Sequence, residues 1–366
     1  MGIKYIRNQM INLRKCENMI PTKKVTIYDV AETTGLSIAT ISRVLNNKGG
    51  YSEKTKTRVL DACNKLGFVP NNTAINLASK KTKTIGLSLT TNDYYDNIED
   101  TYTLRFLKGA ISSAARYGYD ILIESHIASD DSQKQLKLPQ KYDGAVFPHL
   151  SNSNIQYVEF LLKSGFPTVY AGSLLPDDPK HHNIYAGYKE YKRTVLDMLL
   201  ESGHKNIIVL ENYSYSLGNT NVPLLQEVIK AFIYDNNLPY TACQLVLYDI
   251  TMPNHLTKQL SNILSSPNRP DAIYAPSTAS ANMVYTIINK MGYHIPKDIS
   301  VIGTVHSPND GESFLPPLST VFIDAYEMGK DAAKLIIHYI EENDEHPIQK
   351  IAYEIKQRES IQNRNE

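Results

Sequence analysis

Just after Gly35 the chain reads Ser37, Ile38, Ala39, Thr40, Ile41, Ser42, Arg43. Short polar side chains around one arginine suit the edges of base pairs. Arg43 could grip guanine O6 and N7 in a bidentate pair, worth about 1–3 kcal/mol of discrimination. Ser42 and Thr40 suit phosphates or base edges, and Ile38 and Ala39 suit thymine methyls. The same spacing also fits a small helical packing domain with an incidental arginine. Bond-making chemistry finds less support, because the chain contains no GxSxG elbow, Walker loop, GxGxxG or HExxH. His181 and His182 adjoin Asp177 and Asp178, but adjacent residues rarely ligate one ion together, so a solvated loop is expected there. Neither a metal site nor a cofactor is expected.

The elements that must position these side chains follow from spacing. Thr26 can cap a helix from Ile27 to about Thr33, with Ile27, Val30 and Ala31 on one face. Gly35 supplies the turn and Ser37 caps a second helix running to about Asn46, its buried side formed by Ile41, Val44 and Leu45. Ser52 caps a third helix with Val59, Leu60, Cys63 and Leu66 inward, and Phe68 closes the core. After Pro70, residues Asn71–Ser79 suit two helical turns with Ala74, Leu77 and Ala78 on one side. Helices under about 12 residues are marginal alone, so this one needs a partner. Lys80–Lys83 is a linker.

From Thr84 strands and helices alternate. Strands are expected at Ile85–Leu89, Ile121–Glu124, Gly144–Phe147, Thr168–Ala171, Ile207–Leu210, Leu245–Leu247, Ala272–Ala275 and Ser300–Gly303. Amphipathic helices are expected at Leu104–Tyr117, Asn154–Lys163, Tyr188–Glu201, Leu224–Asp235, His255–Leu264 and Asn282–Met291. This alternation implies parallel sheets covered on both faces. Eight strands divide into two doubly wound sheets, with a boundary near Asn183–Tyr188. A long helix, Tyr326–Glu342, and a last strand near Ile351–Ile355 must return to them.

The charge is divided along the chain. Residues 1–83 hold 15 Lys+Arg and 5 Asp+Glu, the remainder 23 and 33, although the whole is neutral. A basic head suits a polyanion, and an acidic body suits solution. At 366 residues, two or three domains are expected. Cys16, Cys63 and Cys243 form no CxxC pair, which favours a reducing compartment. No apolar run approaches the ~18–20 residues of a membrane span, and the N-terminal stretch lacks the apolar core of a signal peptide. Met19 stands just before the first element, so residues 1–18 read as a tail or a misassigned start.

YDVAETTGLSIATISRVLNN, TKTRVLDACNKLGFVPN and INLASKKTKTIGL together resemble the LacI/GalR family of bacterial repressors, nearly continuously over Val25–Leu87. Weaker pieces follow: SGHKNI at 202–207, IPKDISVIG at 295–303, PPLSTV at 316–321 and RES at 358–360. The resemblance implies that Asn71–Ser79 form a hinge helix, folded only when two protomers sit on an operator. Leu77, flanked by Ala74 and Ala78, would then wedge into the minor groove. Asn71 and Lys80 would contact phosphates. Thr26 and Asn46, at the ends of the two-helix unit, complete the expected DNA-facing set. His204, in a helix-to-strand turn that the family shares, is expected to be structural.

For the body, the resemblance implies a two-lobed, periplasmic-binding-protein-like core. Ligands in such sheets bind outside the carboxyl ends of the strands. Those ends offer Asn92, Asp93, His126, His149, Asn212, Ser277, Thr278 and His306, with Arg105 nearby. Three departures stand out. Leu225 falls where sugar-responsive members place an arginine, Ser277-Thr278 where they have Asn-Asp, and Thr304-Val305-His306 where an aspartate or asparagine is usual. Tyr248 occupies a position where an aromatic often stacks on the effector. The stretch 97–110 is similar to members that control galactose and galactoside genes.

The expected fold is an all-α helix-turn-helix DNA-binding domain plus an α/β core of two doubly wound parallel sheets. Its expected parts are a tail (1–24), a head (25–69), a hinge helix and linker (70–83) and a core (84–366). Within the core, one lobe takes about 84–184 and 324–349, the other about 185–323 and 350–366. The expected function is regulation of transcription without enzymatic activity. A cytoplasmic homodimer would repress carbohydrate-utilisation genes from a pseudo-palindromic operator, under a sugar-like small molecule and with no membrane partner. One alternative keeps DNA binding but has a degenerate or non-sugar effector cleft, with control by a protein partner. Another is a solute-binding protein or α/β enzyme with a vestigial head.

Overall fold

A computed structural model describes residues 25–45, 49–68, 81–89, 101–125, 141–150, 154–172, 182–212, 221–249, 252, 254–342 and 349–365. The chain divides into two compact units at Lys80/Lys81.

The first unit contains α1 (Ile27–Thr34), α2 (Ile38–Leu45) and α3 (Glu53–Leu66). Each start is held by a local bond. The Asp29 carboxylate accepts from the Thr26 N–H and hydroxyl, both at 2.7 Å. Ser37 Oγ accepts the Thr40 N–H at 3.2 Å, and Ser52 Oγ the Thr55 N–H at 3.2 Å. Gly35, at φ 60°, ends α1 in the left-handed region that suits glycine. Val30, Ile41, Val44, Val59, Ala62 and Cys63 form the core, with Phe68 packed against it. Leu60 is 43% exposed, against the inward position expected of it. One residue is 100° of helix, so Leu60 turns away from the face shared by Val59, Ala62 and Cys63.

The second unit holds two six-stranded sheets. Sheet one orders β11-β5-β4-β3-β1-β2, with β1 (Thr84–Leu89), β2 (Asp120–Ser125), β3 (Gly144–Phe147), β4 (Thr168–Ala171), β5 (Asn183–Tyr185) and β11 (Gln349–Lys350). Sheet two orders β12-β10-β9-β8-β6-β7, with β6 (Ile207–Asn212), β7 (Cys243–Tyr248), β8 (Ala272–Ala275), β9 (Ser300–Val305), β10 (Ser319–Ile323) and β12 (Tyr353–Lys356). Among the described residues all pairings are parallel, as expected, except the edge pairing of β10 with β12, which is antiparallel. After β10 the chain passes to β11 in sheet one and re-enters sheet two as β12, running back along the edge.

The helices are α4 (Thr101–Arg116), α5 (Ile155–Lys163), α6 (Tyr188–Glu201), α7 (Asn221–Asp235), α8 (His255–Leu264), α9 (Thr278–Lys290) and α10 (Ala325–Glu342). α4 and α10 touch backbone to backbone. A Cβ on Gly109 would stand 1.9 Å from the Tyr326 carbonyl, and one on Gly329 1.9 Å from that of Phe106. Only glycine permits this approach.

Candidate nucleic-acid interface and candidate cleft

In the first unit α2 has two faces. Ile41 and Val44 are buried against α1 and α3, while Ser37, Ile38, Ala39 and Arg43 are exposed and Thr40 and Ser42 half-buried. The sequence-predicted reading residues therefore share one outward surface on a helix fixed by its core. Thr26 is exposed, but its hydroxyl already donates to Asp29. Tyr28 was not among the expected residues; it is 70% exposed on α1. An aromatic on the polar face of a capped helix was the signal for it. Asn46, Asn71, Ala74, Leu77, Ala78 and Lys80 lie outside the described residues.

In the second unit the carboxyl ends of both sheets meet around Tyr102 of α4. Its ring centroid is 4.4 Å from that of His149, after β3, and 4.8 Å from that of His306, after β9. The Tyr102 hydroxyl donates to the Pro148 carbonyl at 2.9 Å, and His306 Nδ1 lies 3.2 Å from the Ile323 carbonyl. Arg105 pairs with Asp324 at 3.3 Å, where β10 passes into α10. The structure thus brings His149, His306 and Arg105 toward the crossover between sheets, about a tyrosine that sequence reasoning did not single out.

Other expected positions have prior engagements. Ser277 caps α9 by accepting the Ser280 N–H at 3.2 Å, and Thr278 Oγ1 donates to Asp310 at 3.3 Å. Asn212 is buried at the end of β6. Two expected positions are buried, against the ligand-facing place given them. Leu225 is fully buried on the inward face of α7 with Val228, Ile229 and Phe232, because α7 begins at Asn221 and this residue already faces the sheet. Tyr248 is 1% exposed, packed with Leu256 and Leu260 on the far side of sheet two. Neither side chain is exposed in this arrangement. Asn92, Asp93 and His126 lie outside the described residues.

Beneath the ends of β6, β8 and β9 lie two buried ionisable side chains that sequence reasoning missed. Lys192 of α6 is 2% exposed, its Nζ 4.1 Å from the Tyr274 ring centroid, 5.4 Å from that of Tyr188 and 5.7 Å from that of Tyr191. Glu211 accepts from the Tyr188 hydroxyl at 3.0 Å, and the Tyr274 hydroxyl is 3.0 Å from Thr304 Oγ1. Burial pulls the Lys192 ammonium below its ordinary range and pushes the Glu211 carboxyl up, each opposed by the charge of the other. The signal was periodic: Lys192 sits on the apolar stripe of α6 with Tyr188, Tyr191, Val195 and Leu199.

His204 is wholly buried, its Nδ1 3.0 Å from the Leu199 carbonyl and its Nε2 2.8 Å from Ser300 Oγ. Desolvation holds it below the usual histidine range, so it ties the turn after α6 to β9 as a neutral ring. His182 stacks edge-on against Tyr339 at 5.3 Å. Among the described residues no cluster suits a metal ion, and no helix is long and apolar enough to cross a membrane.

Comparison with known proteins follows the same division. The sequence pattern for bacterial regulatory proteins of the lacI family matches residues 26–71, and that for a periplasmic binding protein-like domain matches residues 196–361. Catabolite control protein A of Priestia megaterium is 27% identical over 323 residues, covering 86% of this chain and 92% of that protein. The ribose operon repressor of Bacillus subtilis (strain 168) is 27% identical over 320 residues, covering 86% and 91%. Among solved structures, the lac repressor dimer bound to operator and the anti-inducer ONPF superposes with a TM-score of 0.76. It is 20% identical, and the match covers 93% of this chain and 100% of that one. The CelR–cellobiose complex gives a TM-score of 0.64 at 21% identity, covering 92% and 99%.

Proposed function

Because this chain belongs to the LacI family of bacterial regulatory proteins, a family of DNA-binding transcriptional regulators and not of enzymes, we propose that it is a dimeric repressor of carbohydrate-utilisation genes. In this reading two heads grip a pseudo-palindromic operator, and a small molecule in the two-lobed core sets their affinity. A chromosomal partner places the protein in the cytoplasm. The observation that carries the proposal is the outward face of α2, where Ser37, Ile38, Ala39 and Arg43 stand exposed on a helix anchored by Ile41 and Val44. A recognition helix entering the major groove needs that division.

Residues 25–69 are the proposed head and 70–83 the hinge and linker, with Leu77 as a minor-groove wedge and Asn71 and Lys80 on phosphates. Tyr28 joins the set, since an exposed phenol on α1 can donate to a phosphate. A ribose operon repressor among the relatives supports a sugar effector. Occupancy would shift the population of lobe arrangements and thereby the placement of the two hinge segments. A second reading gives control to a protein partner or a non-sugar ligand. The buried Leu225 and Tyr248 favour it, because neither can touch an effector from where it packs.

Arg43→Ala tests the central claim. Against a duplex that the wild-type protein selects from a random pool, the variant should lose about 1–3 kcal/mol of discrimination. Its salt-dependent affinity for unrelated DNA should change by little more than one phosphate contact's worth. Unchanged selectivity, read by fluorescence anisotropy at two salt concentrations, would refute the role of Arg43.

A further inference from the structure

The second unit begins with three residues that are held more firmly than a strand end requires. The Thr82 N–H and hydroxyl donate to Asp143 Oδ1 at 2.7 and 3.0 Å, and the Lys83 N–H donates to Asp143 Oδ2 at 2.8 Å. Lys81 Nζ reaches both Glu341 Oε2 and the Ile340 carbonyl at 3.2 Å. Lys83 Nζ pairs with the same Glu341 carboxylate and lies 4.5 Å from the Tyr119 ring centroid, while the Tyr119 hydroxyl donates to Glu341 at 2.7 Å. Three cationic or phenolic donors on one carboxylate draw its pKa down to about 2. Lys83 has φ 53°, a left-handed backbone that a non-glycine residue adopts at a cost.

The backbone ladder accounts for only part of this. The Lys83 carbonyl accepts the Asp120 N–H at 2.9 Å as β1 meets β2, and Ile85 and Leu87 are already buried in the core, whereas the side-chain bonds of Asp143 and Glu341 add nothing to that ladder. The ion pairs are about 36–45% exposed, so each contributes little to global stability. A strand terminus without other duty would be free to fray. What the contacts do fix is the direction in which the chain leaves toward residue 80. Moreover, Asp143, Tyr119 and Glu341 all lie beside elements that pack in or on sheet one.

We infer that residues 81–83 form a clasp in which Asp143 and Glu341 are positioning residues for operator binding, tying the outgoing hinge segment to the first lobe. The inference rests on the proposed hinge role of residues 70–80. Three residues fully extended reach about 10 Å, so release would add that much slack to each arm. Half-sites stand about 34 Å apart, and slack of that size weakens the fit of two heads to one operator. Because Asp143, Tyr119 and Glu341 all belong to the first lobe, movement of that lobe is carried to the hinge.

The test uses the full chain as wild type, Glu341→Ala, Glu341→Asp and Asp143→Asn. Hydrogen exchange at the Thr82 and Lys83 amides reads the clasp without DNA. Anisotropy against a palindromic duplex selected by the wild type, and against an unselected duplex, reads its consequence. In Glu341→Ala and Asp143→Asn, exchange should quicken by about tenfold or more, and affinity for the selected duplex should fall about five- to tenfold. The unselected duplex and the melting temperature should hold, and Glu341→Asp should recover part of the lost affinity. Unchanged exchange would overturn the clasp. Released amides with full selected affinity would overturn the positioning role alone. A melting temperature that falls in step with affinity in every variant would make these residues structural and also overturn it. If the wild type enriched no duplex, the operator reading would fail and take the positioning role with it, while exchange would still report the clasp.

Discussion

Lys192 and Glu211 are both buried, Lys192 over the rings of Tyr188, Tyr191 and Tyr274 and Glu211 on the Tyr188 hydroxyl, and each charge favours the other without a direct ion-pair contact. Removing Lys192 takes away the opposite charge that favours the Glu211 carboxylate. Lys192→Met should therefore destabilise the core by about 1–3 kcal/mol in urea unfolding. The double variant Lys192→Met/Glu211→Leu keeps the volume and removes both charges, so it should recover most of that loss. A double variant as weak as the single one would show that the two residues are not energetically a pair. At this scale the reading face was legible and the buried pair was not. Arg43, Ser37 and Ala39 lie within one helix, where 3.6-residue spacing alone decides what points outward. Lys192 meets Tyr274, and Glu211 meets Tyr188, across three elements, and no local pattern joins them.

At the scale of elements, the α4–α10 contact is the most constrained. Its approach depends on Gly109 and Gly329, each facing the other helix's backbone. Gly109→Ala must push the helices apart, at a cost of about 1–3 kcal/mol or more. Differential scanning calorimetry should show a melting temperature lower by several degrees; an unchanged one would mean that the helices separate freely. The eight strands and seven core helices expected from alternation and amphipathic spacing are all present, with ends shifted by a few residues. What spacing failed to show were β5, β10 and β11. β5 and β11 have three and two residues, too few for a periodic pattern. β10 follows Pro316 and Pro317, which read as a turn. The antiparallel edge of β12 was equally hidden, because strand direction is set by where the chain returns and not by composition.

For the whole molecule, the open question is what the core senses. A panel of galactosides, other sugars, nucleosides and phosphosugars can be screened by thermal shift. A true effector at a hundredfold excess over its Kd stabilises by about 2.7 kcal/mol, which a melting curve resolves. We expect a sugar or sugar phosphate to do so; silence across the sugars would replace the sugar effector with the partner-controlled reading. The sequence by itself determined the helical head, its outward face, the basic head on an acidic body and the strand–helix alternation of the core. All of these rest on short-range spacing or on summed composition, which survive without three-dimensional context. Tertiary structure alone decided that Leu225 and Tyr248 turn into the core, that His149 and His306 meet around Tyr102, and that Lys81 and Lys83 serve Glu341. Each depends on residues far apart in the chain being brought within a few ångströms, and packing, not periodicity, makes that choice.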